Sequence, residues 1–179
     1  MKAFRLKKGL PVLLLCCFIL FSCAANKELL RRQAEASRNL GEVYYSEGNF
    51  SSALKEFLKA EQMNPEDAFV QNDLGLTYMA KNRPELAIKH FRKAVELKPE
   101  FAPAANNLGT AYLADRQYDL AIEQFKRLAN NLIYATPHYP LTNLGLAYFR
   151  KNEYESAIRY YKKALDLQPR YVIALRGLG

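Results

Sequence analysis

The side chains best suited to catalysis are few. Histidine occurs twice, at His90 and His138, and cysteine three times, at Cys16, Cys17 and Cys23. A zinc hydrolase of the His-Glu-x-x-His type needs two histidines one helical turn apart, and a zinc or redox pair needs cysteines two residues apart; neither spacing occurs. No Gly-x-Ser-x-Gly elbow is present to expose a nucleophile. The glycines do not form a phosphate-cradling loop, because Gly41, Gly75, Gly109 and Gly145 recur one at a time behind a leucine. The carboxylates are scattered over positions that read as solvated helix exteriors, and each histidine reads as an ordinary surface or interhelical residue. The expectation is a binding protein with no catalytic residue, no metal and no cofactor.

Cys23 offers chemistry of another kind. Residues 1–8 carry Lys2, Arg5, Lys7 and Lys8 and no acid, and residues 10–21 (LPVLLLCCFILF) are apolar without a break. Twelve apolar residues fall short of the roughly 20 that span a bilayer. A basic start, a short apolar stretch and small residues after it read as a secretory signal over residues 1–22, with an uncleaved anchor as the lesser alternative. Leu20-Phe21-Ser22-Cys23 resembles the lipobox of bacterial lipoproteins, although Phe21 stands where that pattern prefers a smaller residue. The resemblance implies that Cys23 becomes the lipid-bearing N-terminus. The rival is cleavage after Ala24 or Ala25, which releases a soluble protein. Ala24 after the cysteine, by the sorting habit of such lipoproteins, implies the outer membrane and a periplasmic face. With Cys16 and Cys17 inside the leader, the exported domain holds no disulfide and depends on packing for stability.

The leader also accounts for the charge. The whole chain is formally +8, but removing residues 1–22 leaves 22 basic against 18 acidic residues, or +4. The excess served the leader's orientation at a membrane, and there is no electrostatic case for a nucleic-acid partner.

What would position a binding site is a repeat. Leu-Gly occurs at Leu40-Gly41, Leu74-Gly75, Leu108-Gly109 and Leu144-Gly145. In phase with it stand Tyr44, Tyr78, Tyr112 and Tyr148; then Ala53, Ala87, Ala121 and Ala157; then Phe57, Phe91, Phe125 and Tyr161. Ala60, Ala94 and Ala164 follow, with Leu128 as the exception, and Pro65, Pro99 and Pro169 close three units. Leu74 and Tyr78 share one face of a first helix, while Ala87, Phe91 and Ala94 make notch, knob and notch on a second. Pro84 suits a first helical turn, and Asn49, Asn82 and Asn152 suit caps or tight turns. This pattern resembles the tetratricopeptide repeat. It implies an all-α, right-handed solenoid of antiparallel helix hairpins, with about four repeats and the start of a fifth.

The expected organisation is a lipid-linked segment at 23–33 and repeats at 34–67, 68–101, 102–137 and 138–171. Residues 172–179 begin an incomplete fifth unit. The third repeat is two residues longer, and Leu132, Ile133 and Tyr134 in its connection are expected to pack on the next hairpin, with a binding role as the lesser alternative. The position three before each repeat leucine, often Trp in this family, is Ser37, Gln71, Ala105 and Leu141, so looser packing is expected around Gln71.

Across from the Leu/Tyr face, the first helices of this family line a concave wall. Residues −3, +1 and +4 from each repeat glycine form a stripe there: Asn72, Leu76 and Met79; Asn106, Thr110 and Leu113; Thr142, Leu146 and Phe149. The first unit offers Arg38, Glu42 and Tyr45 instead. The repeat signature requires none of these, so the stripe reads as an apolar trough with polar groups on one rim, suited to an amphipathic helix or an extended apolar peptide. The weighed alternative is that these side chains only cover their neighbours. A second ladder of Asn39, Asp73, Asn107 and Asn143 resembles asparagines that hold a peptide backbone in some such proteins, and more commonly tie neighbouring helices. A clamp for a chaperone-tail carboxylate is rejected, since the trough offers only Arg38 and, at its far end, Arg150.

A lipobox followed directly by these repeats resembles the PilW-type pilotins of type IV pilus biogenesis. That resemblance implies a secretin as partner, a lipid anchor in the envelope membrane, and a role in secretin localisation or assembly. The alternatives are a general periplasmic scaffold for a protease, cell-wall enzyme or outer-membrane assembly complex, and an accessory subunit of a catalytic complex.

Overall fold

The computed structural model describes residues 10–130 and 136–179, with side chains from residue 26 onward. The basic residues of the leader and the connection residues Leu132, Ile133 and Tyr134 lie outside it. Every element among the described residues is a helix. The first hairpin comprises the end of α1 (Leu10–Ser46) and α2 (Phe50–Met63); the second comprises α3 (Ala68–Ala80) and α4 (Pro84–Leu97). The third has α5 (Ala102–Ala114) and α6 (Tyr118–Ala129), the fourth α7 (His138–Arg150) and α8 (Tyr154–Leu167), and α9 (Val172–Leu178) follows. Helix α1 runs unbroken from the apolar leader through Cys23 into the first repeat. No helix among the described residues is long and apolar enough to cross a membrane.

The hairpin turns show why these helices stop and start. One position in each turn adopts a left-handed backbone: Gly48 at φ 76°, Asn82 at 56°, Arg116 at 61° and Asn152 at 65°. Glycine and asparagine tolerate that region, whereas arginine is strained in it. Asn49 stands one residue later than its presumed counterparts and caps α2 by accepting the Ser52 N–H at 3.2 Å. Asp67 caps α3, accepting from Phe69 N at 2.8 Å and Val70 N at 3.3 Å. Pro84 sits in the first turn of α4, where its missing N–H forfeits no intrahelical bond.

Each hairpin closes around an aromatic knob. Phe57, Phe91 and Phe125 are no more than 1% exposed, and Ala53, Ala87, Ala94 and Ala121 beside them are fully buried. Burial of each ring contributes about 1.5–3 kcal/mol. A Cβ on Gly41, Gly75 or Gly109 would fall within 2.5–2.6 Å of the ring of its own unit. The glycine therefore makes room for the knob of its hairpin partner, which outweighs the roughly 1 kcal/mol it costs a helix.

Gln71 corrects the expectation of loose packing. It is fully buried, its Nε2 donates to Glu61 Oε1 at 2.9 Å, and its Oε1 lies 2.8 Å from His90 Nδ1. Because Glu61 fixes the Gln71 amide, its oxygen faces His90, whose Nδ1 is the donor. The imidazole stacks on Tyr78 with centroids 5.3 Å apart, and burial lowers its pKa. A satisfied polar knot thus fills the space that a large aromatic fills in other repeats of this kind.

The helices divide into two walls. Each odd-numbered helix touches the next odd one, α1 with α3 through to α7 with α9, whereas among the described residues the even-numbered helices approach one another only through side chains, as where Lys93 Nζ lies 3.6 Å from Glu61 Oε1. The odd series therefore forms the tighter, inner wall and the even series fans out behind it.

Candidate functional site

The inner wall carries all of the expected stripe residues, and their environments differ. Asn72 and Thr142 are buried, Leu76, Met79, Asn106, Leu113 and Leu146 are half-buried, and Thr110 and Phe149 are exposed. Leu76, Met79 and Leu113 pack partly on the core beneath them. Thr110 and Thr142 spend their hydroxyl protons on their own helices, donating to Asn106 O at 3.1 Å and His138 O at 2.8 Å. Phe149 leans edge-on against Tyr154 at the rim.

The second ladder does not stand free. Arg38 Nε donates to Asp73 Oδ2 at 2.7 Å, Asn107 Nδ2 to Asn72 Oδ1 at 3.0 Å, and Asn143 Nδ2 to Asn106 Oδ1 at 3.1 Å. Each ladder residue thus reaches back to the first stripe residue of the preceding unit, giving a polar rail across α1, α3, α5 and α7. Asn39 is exposed at its start. The amide nitrogens of Asn107 and Asn143 donate within the rail, while their oxygens accept no side-chain hydrogen bond among the described residues. Sequence spacing places both series on one helix face, but the diagonal bond between them was missed. Its signal was a polar pair one residue more than a repeat apart, as in Arg38/Asp73 and Asn72/Asn107.

The rail changes character along its length. At the first unit it is ionic, since Arg38 also pairs with Glu42. Burial raises the Asp73 pKa, against the opposing pull of the Arg38 guanidinium. A small hollow of about 70 Å³ lies beside it, lined by Glu42, Tyr45, Phe57, Asp73 and Leu76. From α3 onward the rail is built of neutral amides. At the far end the wall opens into a cavity of about 450 Å³, whose lining includes Leu146, Phe149, Tyr161, Ile173 and Arg176. Leu146 and Phe149 were expected at this wall; Tyr161 and Arg176 were not, because the first reads as a core knob and the second lies beyond the fourth repeat.

Along the inner wall, among the described residues, no nucleophile stands hydrogen-bonded to a base. Among the described residues no three His, Cys, Asp or Glu side chains gather as a metal site. His90 is engaged with Gln71 and Tyr78, and His138 sits in an aromatic cluster with Tyr139 and Tyr171. The wall offers shape, apolar area and a row of hydrogen-bonding groups.

Tetratricopeptide-repeat family profiles match residues 41–82, 72–140 and 139–171. No curated protein sequence matches the chain. Among solved structures, a crystal structure of MamA superposes with a TM-score of 0.68 at 28% identity, covering 77% of this chain and 80% of that one. YrrB, a repeat protein of this kind with an unusual peptide-binding site, superposes with a TM-score of 0.73 at 24% identity, covering 88% and 86%. PilW, a widely conserved type IV pilus biogenesis factor, superposes with a TM-score of 0.70 at 22% identity over 79% of this chain and 64% of its own. This chain thus spans just under two thirds of PilW. These likenesses establish a shared solenoid.

Proposed function

Given that the chain belongs to the tetratricopeptide-repeat family, a family of protein-interaction scaffolds, we propose that it is a non-enzymatic adaptor whose inner wall holds an apolar segment of a partner protein. The observation that carries this reading is the wall itself. Leu76, Met79, Leu113, Leu146 and Phe149 form an apolar strip beside a rail in which the Asn107 and Asn143 amide oxygens can accept from a peptide N–H. Buried apolar anchors dominate contacts of this type, and a rail of acceptors fixes the peptide's register.

The setting is a bacterial envelope. The leader and the Leu20-Phe21-Ser22-Cys23 sequence support lipid attachment at Cys23, which holds the repeats at the periplasmic face of the outer membrane. Within that setting the likeness to PilW favours a pilotin role, with the secretin of type IV pili as partner. The comparable likenesses to MamA and YrrB favour the broader reading of a general periplasmic scaffold.

The test is capture from membrane extract, with and without the secretin, using full-length protein and its Leu76→Glu, Leu113→Glu and Phe149→Glu variants. Each variant keeps its helicity and captures the secretin at least tenfold more weakly, since losing a strong anchor costs about 2 kcal/mol or more. Unchanged capture by all three folded variants removes the groove as the site. Capture of other envelope proteins in place of the secretin favours the general scaffold. Labelled palmitate incorporated by the wild type and absent from Cys23→Ala supports the anchor; a mature protein beginning at Asn26 refutes it.

A further inference from the structure

The inner wall has a period, and the period limits what can lie along it. Asn107 Nδ2 donates to Asn72 Oδ1 at 3.0 Å, and Asn143 Nδ2 to Asn106 Oδ1 at 3.1 Å. The same bond between successive units sets α3, α5 and α7 at one repeated step. These helices pack directly on one another, so the step is about 8–10 Å, the usual distance between the axes of packed helices. Each step presents one apolar side chain at the same register: Met79 on α3, Leu113 on α5 and Phe149 on α7.

A ligand that uses every anchor brings one side chain per step to a single face. Along a β-strand, side chains of one face recur after about 6.7 Å and again after about 13 Å, on either side of the step. Along an α-helix they recur within about 6 Å and then, seven residues on, at about 10.5 Å, beyond the step. A polyproline II segment has three residues per turn and rises about 3.1 Å per residue, so every third side chain returns to one face after about 9.3 Å. Only that spacing falls within the step.

The rail selects in the same direction. The Asn107 and Asn143 oxygens accept no side-chain hydrogen bond, and no side-chain polar atom among the described residues is both fully buried and unpartnered, so both oxygens are open to solvent. A helix spends its N–H groups internally, whereas polyproline II makes no internal hydrogen bonds and leaves each non-proline N–H free to donate. The charge of the wall completes the description. No stripe residue of α3, α5 or α7 is ionisable. At the α1 end, the single Arg38 guanidinium answers both Glu42 and Asp73, beside the hollow of about 70 Å³ that these two carboxylates help to line. That end keeps an excess of negative charge.

We propose that the inner wall holds its partner as a polyproline II segment with an apolar side chain at every third residue. An N–H of the segment meets Asn107 Oδ1 and another meets Asn143 Oδ1, and a basic side chain lies at the end that reaches Glu42. The proposal rests on the inner wall being a peptide site and names the conformation, spacing and polarity that it selects.

Fluorescein-labelled nine-residue peptides test it, measured by polarisation against the full-length chain in detergent micelles. Three repeats of Leu-Pro-Ala place leucine at every third position. A second peptide of the same composition places its leucines at every second position, and a third is a helical peptide with leucines seven apart. The triplet peptide binds at least fivefold more tightly than either, and Leu113→Glu weakens it at least tenfold. N-methylation of its alanines, which removes donors and keeps the backbone extended, weakens it at least threefold. A lysine added at one terminus tightens binding more than a lysine at the other, and Glu42→Gln removes the difference. Equal or tighter binding of the second or third peptide overturns the proposal, and so does binding indifferent to N-methylation or to the position of the lysine. If no peptide binds while Leu113→Glu still loses partner capture from membrane extract, the wall stands and the polyproline II ligand falls. If capture also survives that substitution, both fall.

Discussion

Arg116 occupies the left-handed turn position that Gly48, Asn82 and Asn152 hold in the other units. A bulky side chain there costs about 1–2 kcal/mol, and asparagine relieves part of that cost because its short polar side chain suits the region. Arg116→Asn is therefore expected to stabilise the protein by about 0.5–1 kcal/mol, read as a higher urea midpoint at unchanged slope; a lowered midpoint contradicts the strain. The sequence displays the turn but not the strain, since only aligning the four turns residue for residue reveals that Asn49 is not the counterpart of Asn82. Gln71 teaches a similar lesson. A polar residue at a position usually filled by a large aromatic reads as a weak point until its partners Glu61 and His90, ten and nineteen residues away, are seen around it.

The helices were legible for a clear reason. Leucine, glycine, tyrosine, alanine and an aromatic in fixed phase leave few ways to bury their apolar faces, and stacked hairpins are the one that uses every notch. The rail between helices was half legible. Its residues were visible as a ladder, but hydrogen bonds that run diagonally between units follow from the offset of neighbouring helices, which no periodicity within one helix encodes. The rail carries a test at this scale. Asn72 is buried and accepts from Asn107, so Asn107→Ala leaves a buried oxygen without its donor and costs about 1–3 kcal/mol. In a double-mutant cycle Asn72→Ala and Asn107→Ala show a coupling of at least about 0.5 kcal/mol. Asn39→Ala, at the exposed start of the ladder, shifts stability by no more than about 0.5 kcal/mol. A coupling of zero means that the two amides do not support one another.

Among the described residues each hairpin touches only its neighbours, so stability is a sum of local terms along a line. Helix α9 meets, among the described residues, α7 and α8, and its Val172, Ile173 and Leu175 are each about half exposed. Amide exchange followed by mass spectrometry is expected to be fastest there and slowest in α4 to α6, around Phe91 and Phe125; uniform protection from α2 to α9 contradicts this linear behaviour. The two walls also set how the molecule deforms under load. Contact between neighbouring odd helices and the rail that bonds α1 to α3, α3 to α5 and α5 to α7 fix the spacing of the inner wall, while among the described residues the even helices are tied more loosely, as by the Lys93–Glu61 ion pair between α2 and α4. The inner wall is then the neutral line of a bending beam, whose length stays constant while the outer side opens or closes. A partner seated on that line meets anchors at a constant pitch however the beam is flexed, so pulling on the captured protein changes the curvature of its holder before it changes the grip.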